Sequence, residues 1–249
     1  MALAHSIGSI CSDYYEYSMS LTTPEQHSFA ARLECRYLLH IPETLDSNSL
    51  LIITLHGYSS NPDAMLRLTG GLVGDRHVIA ALEAPNQHYV AEGLPDRQSV
   101  AGYNWGISKH WESAVRLHHE MVLQTLAHLR HRFQMGKDRG LLVGFSQPVG
   151  LNYRFAGTHP GEVAGIIGIC GGVPRDWEED RYRPVEAAVL HISRDQDQFY
   201  PVEVAQKFPE RLRRHADDVE FHLLEGPHRF PSKAGGIVRA WIDRVLGRK

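Results

Sequence analysis

Short, uninterrupted apolar runs recur along the chain, and their spacing constrains the fold more than any other feature. LLIITL at residues 50–55 and GLLVGF at residues 140–145 are the clearest of these runs. Runs of this length without polar alternation are typical of strands that are buried on both faces of a parallel sheet. We predict strands at residues 34–41, 50–55, 77–82, 140–145, 163–169, 187–192 and 219–224.

Segments with a helical spacing of apolar residues lie between these runs. We predict helices at residues 63–72, 111–133, 149–156, 202–214 and 234–246. The alternation indicates an α/β fold, with a mostly parallel central sheet and helices on both faces. Within the 249 residues we predict an N-terminal arm or helix over residues 1–27 and a single domain over residues 28–249. The longest irregular stretch, residues 86–110, is too short for a large lid domain.

Composition and charge exclude several classes of function. The net charge of −3 provides no basic excess for a phosphate backbone, so we predict no nucleic-acid partner. No apolar run is long enough to span a bilayer. Three cysteines without a close-set motif do not indicate a disulfide scaffold. The first lysine or arginine is Arg32, which argues against a signal peptide, and we expect a cytoplasmic protein.

A candidate nucleophile follows the predicted strand at residues 140–145. The segment GFSQP at residues 144–148 matches four of the five positions of the G-x-S-x-G elbow, with Pro148 in place of the last glycine. A serine on a sharp turn from strand to helix exposes its hydroxyl above the sheet. We therefore predict Ser146 as a nucleophile, the alternative being a serine that only caps a helix. We expect Gln147 to be the N-cap and the helix to begin at Pro148.

A nucleophilic serine needs a histidine as base and a carboxylate that orients the histidine. In this architecture the acid and then the histidine follow the serine along the chain. Asp195 and Asp197 come after the predicted strand at residues 187–192, and His228 comes after the predicted strand at residues 219–224. Both candidates for the acid therefore lie at the sheet edge where parallel strands place their sites.

Two backbone N–H groups must also stabilise the negative charge that develops on the substrate oxygen. The residue after the nucleophile, Gln147, supplies one of them. The loop HGYSSN at residues 56–61 follows an earlier strand, and Tyr58 is the natural second donor. We predict Tyr58 and Gln147 as an oxyanion hole.

Four segments together resemble the α/β-hydrolase superfamily. They are LHGYSSNPDAM at residues 55–65, GFSQ at residues 144–147, DQDQFYP at residues 195–201 and GPHRFP at residues 226–231. Within the superfamily the chain most resembles the carboxylesterase/phospholipase group, which includes acyl-protein thioesterases, from about residue 36 to the C-terminus. The group's spacing between its acid and a following proline favours Asp197 over Asp195.

The resemblance implies a serine hydrolase that cleaves carboxylic esters, with thioesters and lysophospholipids as related substrates. Ser146, Asp197 and His228 match the group's nucleophile, acid and base, and Tyr58 and Gln147 match its oxyanion positions. Such an enzyme acts on a small-molecule acyl ester and needs no metal and no organic cofactor. Because Pro148 departs from the group's pattern, the alternative is an α/β-hydrolase-fold protein that binds a ligand or partner without catalysis.

Other residues near these motifs allow two interpretations. Tyr103, Trp105, Trp111 and Phe199 either line a substrate pocket or are part of the ordinary packing of surface loops onto the domain. The sixteen histidines invite a metal site, but His118, His119, His128 and His131 lack the H-E-x-x-H spacing, and we expect them on a solvated helix face. For Cys170, at the end of a buried strand, we predict a core thiol.

Overall fold

The computed structural model describes residues 23, 25–90 and 100–246. The chain divides into two units, Met1–Glu34 and Cys35–Lys249. The described part of the first unit contains no helix or strand. Most of the predicted arm or helix over residues 1–27 lies outside the described residues, and the predicted boundary between residues 27 and 28 stays a prediction.

Seven strands of the described chain form a mixed sheet in the second unit, and two more form a separate antiparallel pair. The strands are β1 (Tyr37–His40), β2 (Leu51–Leu55), β3 (Val78–Leu82), β4 (Asn86–Val90), β5 (Val100–Asn104), β6 (Gly140–Phe145), β7 (Gly165–Ile169), β8 (Ala188–Gln196) and β9 (Val219–Pro227). The large sheet has the order β1-β3-β2-β6-β7-β8-β9. Its β1 strand is antiparallel to β3 and its other pairs are parallel.

Helices cover both faces of this sheet, as the alternation of elements predicts. The α-helices of the described chain are α1 (Pro62–Val73), α2 (Trp111–Phe133), α3 (Val149–Thr158), α4 (Val202–Ala205), α5 (Phe208–Arg213) and α6 (Gly235–Leu246). One hydrophobic core lies between the sheet and α2, α3 and α5, and a second lies between the sheet and α1 and α6. None of the helices in the described ranges combines the length and the apolar character that crossing a bilayer requires.

The stretch from residue 86 to residue 110, which we predicted to be irregular, instead contains β4 and β5. The two strands pair in antiparallel register from Asn86↔Asn104 to Val90↔Val100. Most of the β4 residues are exposed. A strand with little buried surface needs no apolar run, and therefore its sequence carries no strand signal.

The predicted helix over residues 202–214 is two short helices, α4 and α5. Pro209 lies in the first turn of α5. A proline inside a continuous helix would lack its N–H donor and its ring would meet the carbonyl of the residue four positions earlier. The chain therefore ends α4 at Ala205 and starts a new helix at Phe208, where a first-turn proline is accommodated.

The histidines of α2 do not all face solvent, which corrects the sequence prediction. His128 and His131 are exposed, but His118 and His119 are only 1% and 7% exposed. The helical period places these two in line with Val115 on the face that packs against α3. Burial lowers the pKa of His119 to about 4 and that of His118 well below its ordinary value.

A further buried histidine lies in β8. His191 accepts or donates hydrogen bonds at both ring nitrogens, through Nδ1 to the Tyr153 hydroxyl at 2.6 Å and through Nε2 to the Ser193 hydroxyl at 3.1 Å. Its side chain is fully buried, and burial lowers its pKa to about 3. The folded protein therefore holds His191 neutral at every pH near 7.

We expect these buried histidines to make the fold unstable in mild acid. The unfolded chain binds a proton at each histidine as the pH falls below about 6.5, whereas the folded chain does not until near pH 3–4. The stability is fully present above pH 6.5 and is lost as the pH falls, by about 2 kcal/mol at pH 5 for His119 and about 2 kcal/mol for His191. Urea unfolding at pH 7.5 and pH 5 measures the loss.

A pair of variants separates this effect from a general acid sensitivity. We expect His119→Phe to reduce the loss between pH 7.5 and pH 5 by about 2 kcal/mol, because the phenyl ring fills the same buried site and does not titrate. The exposed His128→Gln serves as the matched control and keeps the full loss. Equal losses of stability in wild type and His119→Phe would contradict the prediction. They would show that His119 is protonated at pH 5 in the folded chain as readily as in the unfolded chain.

Candidate active site

Ser146 lies on a sharp turn between β6 and α3. Its φ of 63° is in the left-handed region, which a residue with a side chain adopts only where its surroundings hold it there. Its backbone N–H donates to the Ile169 carbonyl at the end of β7, at 2.8 Å. A Cβ on Gly144 would lie 2.8 Å from the amide nitrogen of the buried Asn152, so a larger residue two positions before the serine would displace that side chain.

A continuous chain of hydrogen bonds joins Ser146 to His228 and Asp197. The Ser146 Oγ lies 2.9 Å from His228 Nε2, and His228 Nδ1 lies 2.7 Å from the Asp197 Oδ2. An ionised carboxylate only accepts, so Nδ1 carries the imidazole proton and Nε2 is free to accept the proton of the serine hydroxyl. The side chains of His228 and Asp197 are only 9% and 1% exposed, which shields this chain from water.

Backbone donors hold the Asp197 carboxylate in place. Its Oδ1 accepts from the N–H groups of Phe199 and Tyr200, at 2.8 and 3.0 Å. Asp195, the alternative acid, instead accepts from the N–H of Gly226 at 2.8 Å. The structure thus brings Asp197 to the imidazole and directs Asp195 to the strand that leads into the His228 loop.

The loop after β2 and the turn after β6 contribute the two predicted oxyanion donors. Among the described residues, none accepts a hydrogen bond from the backbone N–H of Tyr58 or of Gln147. The Tyr58 side chain is 56% exposed and its ring stacks on His88, with centroids 5.0 Å apart. Gly57 brings the two segments close together, since a Cβ there would lie 3.0 Å from the Phe145 ring.

No family model and no curated protein matches the sequence, but solved structures match its fold. A carboxylesterase from Bacillus cereus aligns with a TM-score of 0.64 at 13% identity, over 85% of this chain and 94% of that one. The esterase PE8 aligns with a TM-score of 0.65 at 20% identity, over 86% and 100%. A phospholipase/carboxylesterase from Dyadobacter fermentans aligns with a TM-score of 0.61 at 19% identity, over 84% and 96%.

The fold is that of the α/β hydrolases. In this fold the helix after the Ser146 turn begins at Val149 with Pro148 as its N-cap, one residue later than the expected start at Pro148. Pro148 has a φ of −76° and a ψ of −8°, and its carbonyl accepts from the Asn152 N–H at 2.9 Å. The Val149 N–H bonds back to the Ser146 carbonyl, so a tight turn precedes the helix and leaves the Gln147 N–H outside it.

The aromatic residues that we predicted at a substrate pocket differ in their surroundings. Phe199 is 66% exposed and its ring meets the His228 ring edge to face, with centroids 4.8 Å apart. Tyr103 pairs with Ser60 through its backbone, and the Arg154 guanidinium covers the Trp111 ring at 5.5 Å. Phe199 is thus the one of these three whose ring contacts His228.

Trp105 does not line an open pocket, which corrects the prediction. It follows the last residue of β5 and is only 1% exposed, because its ring packs against those of His56 and His118. Its indole N–H donates to the His56 carbonyl at 2.8 Å, and its backbone N–H donates to the side-chain Oε1 of Gln147 at 3.0 Å. The sequence showed an aromatic residue in this stretch, but these two bonds depend on segments that are distant along the chain.

Cys170 is a buried thiol at the end of β7. Burial, with a further contribution from the charge of Asp197, raises its pKa to about 12. A thiol with this pKa stays protonated and is a poor nucleophile near pH 7. Within the described ranges, no three histidine, cysteine or carboxylate side chains are grouped so that they could hold a metal ion.

Proposed function

We propose that the chain is a serine hydrolase that cleaves carboxylic esters. The observation that carries the proposal is the unbroken hydrogen-bond chain from the Ser146 hydroxyl through His228 to Asp197. The fold supports it, since its solved neighbours include proteins named as esterases and carboxylesterases. Thioesters and lysophospholipids contain the same acyl carbon, and we include them in the proposed substrate range.

The proposed reaction has two halves. The Ser146 Oγ attacks the acyl carbon while His228 Nε2 takes the hydroxyl proton, and Asp197 stabilises the imidazolium that forms. The N–H groups of Tyr58 and Gln147 donate to the tetrahedral oxyanion. His228 then gives its proton to the departing alcohol, which leaves an acyl-enzyme. Water attacks this ester in the same way and releases the carboxylic acid and free Ser146.

A second serine–histidine pair shows why contact alone does not make a nucleophile. The Ser59 hydroxyl lies 2.7 Å from His88 Nε2, and the Asn104 amide nitrogen lies 3.3 Å from His88 Nδ1. Because the Asn104 Oδ1 accepts from the Gly106 N–H, its amide nitrogen faces His88 as a donor. Nδ1 therefore accepts, Nε2 carries the proton, and His88 cannot take a proton from Ser59.

Labelling with a fluorophosphonate tests the proposal directly. The reagent bonds covalently to a serine that is activated by a neutral histidine, and we expect the label on the peptide that contains Ser146. The peptide that contains Ser59 provides the internal control and stays unmodified, because His88 has the wrong tautomer. Heat-denatured protein should take no label. An unlabelled Ser146 in the folded protein would contradict the proposal.

We expect Pro148→Gly to leave ester hydrolysis within about threefold of wild type, because proline at this position removes no N–H that the site uses. The variant should lose about 0.5–1 kcal/mol of stability, since glycine has more conformational freedom in the unfolded chain. Steady-state kinetics with p-nitrophenyl butyrate and urea unfolding provide the two measurements. A large rise in activity with glycine would mean that Pro148 obstructs the site and would favour a binding protein over an enzyme.

A further inference from the structure

Trp105 connects the two segments that carry the proposed oxyanion donors. Its backbone N–H donates to the Gln147 Oε1 at 3.0 Å, and its indole N–H donates to the His56 carbonyl at 2.8 Å. His56 is two residues before Tyr58 in the loop after β2. A single buried residue that directly follows β5 thus bonds to both of these segments.

The Gln147 side chain completes this connection. Its Nε2 donates to the Gly106 carbonyl at 2.7 Å while its Oε1 accepts from Trp105. The side-chain amide of Gln147 has an accepting oxygen beside a donating NH₂ group, and its two bonds go to consecutive residues after β5. Gln147 therefore has two separate features: a backbone N–H that no described residue accepts, and a side chain that is anchored to the chain beside it.

The surroundings of Trp105 keep this anchor rigid. The indole is 1% exposed and packs against the rings of His56 and His118, with centroids 5.6 Å away in both cases. His56 is itself held at both ring nitrogens, by the Gly57 carbonyl at 2.8 Å and the Ala84 N–H at 3.2 Å. Movement of either oxyanion segment would break hydrogen bonds of buried and partly buried groups, which costs free energy for each bond lost.

We propose that Trp105 and the side chain of Gln147 form a brace that sets the position of the two oxyanion donors relative to each other. They act as positioning residues and do not touch the substrate. This inference rests on the proposed function. Because the charge on the substrate oxygen develops only in the transition state, misplaced donors weaken the transition state more than the bound substrate. Loss of the brace should therefore lower kcat and change KM little.

The test uses Trp105→Phe, which removes the indole N–H, and Gln147→Met, which removes both side-chain bonds and keeps the backbone N–H. With p-nitrophenyl butyrate we expect kcat to fall about 10–100-fold in each variant, with KM within about twofold of wild type. The bonds that the two substitutions remove hold the same pair of oxyanion donors. The kcat of the double variant should therefore fall by less than the product of the two single fold-reductions. Affinity for a trifluoromethyl ketone, which forms a tetrahedral adduct at the serine, should fall in parallel with kcat.

Trp177→Phe provides the matched control. Trp177 is also 1% exposed, but its indole nitrogen has no hydrogen-bond partner among the described residues. The control therefore removes a buried indole of equal size without removing a bond, and we expect its kcat within about threefold of wild type. Thermal unfolding of every variant shows which of them are folded at the assay temperature, and Gln147→Met covers the case in which Trp105→Phe is not.

The outcomes separate the brace from the proposed function. If wild type hydrolyses the ester and takes the fluorophosphonate label, but Gln147→Met and Trp105→Phe keep its kcat, the brace is overturned and the serine hydrolase remains. The same holds if Trp177→Phe loses as much kcat as Trp105→Phe. If wild type neither hydrolyses the ester nor takes the label, the proposed function is overturned and the brace with it.

Discussion

Ser146→Ala should lower kcat for ester hydrolysis by at least about 10⁴-fold, because it removes the oxygen that forms the acyl-enzyme in the proposed reaction. The remaining groups of the site can still bind the ester and polarise its carbonyl, so a small activity above that of water should persist. The fold should be unaffected, since Ser146 holds its backbone through its N–H bond to Ile169, which alanine retains. Steady-state kinetics with p-nitrophenyl butyrate and urea unfolding of the variant measure both expectations.

Ser193→Ala is a useful control for this prediction. The Ser193 hydroxyl lies 3.1 Å from His191 Nε2, but the serine is only 2% exposed, and the other ring nitrogen of His191 bonds to the Tyr153 hydroxyl and not to a carboxylate. We expect the variant to retain kcat within about twofold, with some loss of stability because a buried hydrogen bond is removed. Full activity in Ser146→Ala, or equal losses in the two variants, would contradict the assignment of Ser146 as the nucleophile.

Asp197→Asn should lower kcat by about 10⁴-fold with little change in the fold. In the wild type the Asp197 Oδ2 accepts from His228 Nδ1, which leaves Nε2 unprotonated and facing Ser146. The amide nitrogen of an asparagine at 197 would donate to Nδ1 instead, so the proton would move to Nε2. The imidazole could then no longer accept the serine proton, the situation that Asn104 imposes on His88.

Asp195→Asn is the matched variant, with the same substitution two residues earlier. The asparagine oxygen can still accept from the Gly226 N–H, and we expect kcat to fall less than about tenfold, since such a bond contributes about 1 kcal/mol. The two variants are compared at one pH with one ester. A larger loss in Asp195→Asn than in Asp197→Asn would reverse the assignment of the acid.

The central strands could be predicted because their residues are buried and are therefore almost all apolar. All five residues of β2 are buried, and so are all five of β3 and of β7. A strand covered on both faces must be apolar throughout, so its position follows from the sequence alone. The ends are less certain, since β8 runs on to Gln196 and β9 to Pro227, beyond the apolar residues that mark each strand.

The order of the site residues was also visible in the sequence. Each of Ser146, Asp197 and His228 follows a strand that ends at the same edge of the sheet, so the topology brings them together once the strands are parallel. The choice between Asp195 and Asp197 did not follow from the topology. It depended on which carboxylate accepts from the N–H groups of Phe199 and Tyr200, and the sequence spacing only favoured Asp197.

The buried histidines of α2 were missed although a signal was present. His118 and His119 lie three and four residues after Val115, on the face that the apolar period of the helix marks as buried. Histidine is commonly exposed, and for this reason we predicted a solvated face, although the apolar period of the helix indicated burial. Their burial depends on how α2 packs against α3 and against the ring of Phe155, which lies 5.5 Å from that of His119.

The sequence by itself determined the α/β class, the central strands and the order of the candidate triad, because each follows from local apolarity and from the direction of parallel strands. Only the tertiary structure decided the pairing of β4 with β5, the burial of Trp105 and the attachment of the Gln147 side chain to it. These features are bonds between backbone groups and side chains from distant segments. Nearly any residue offers the backbone partner, so no residue type in the sequence marks where such a bond forms.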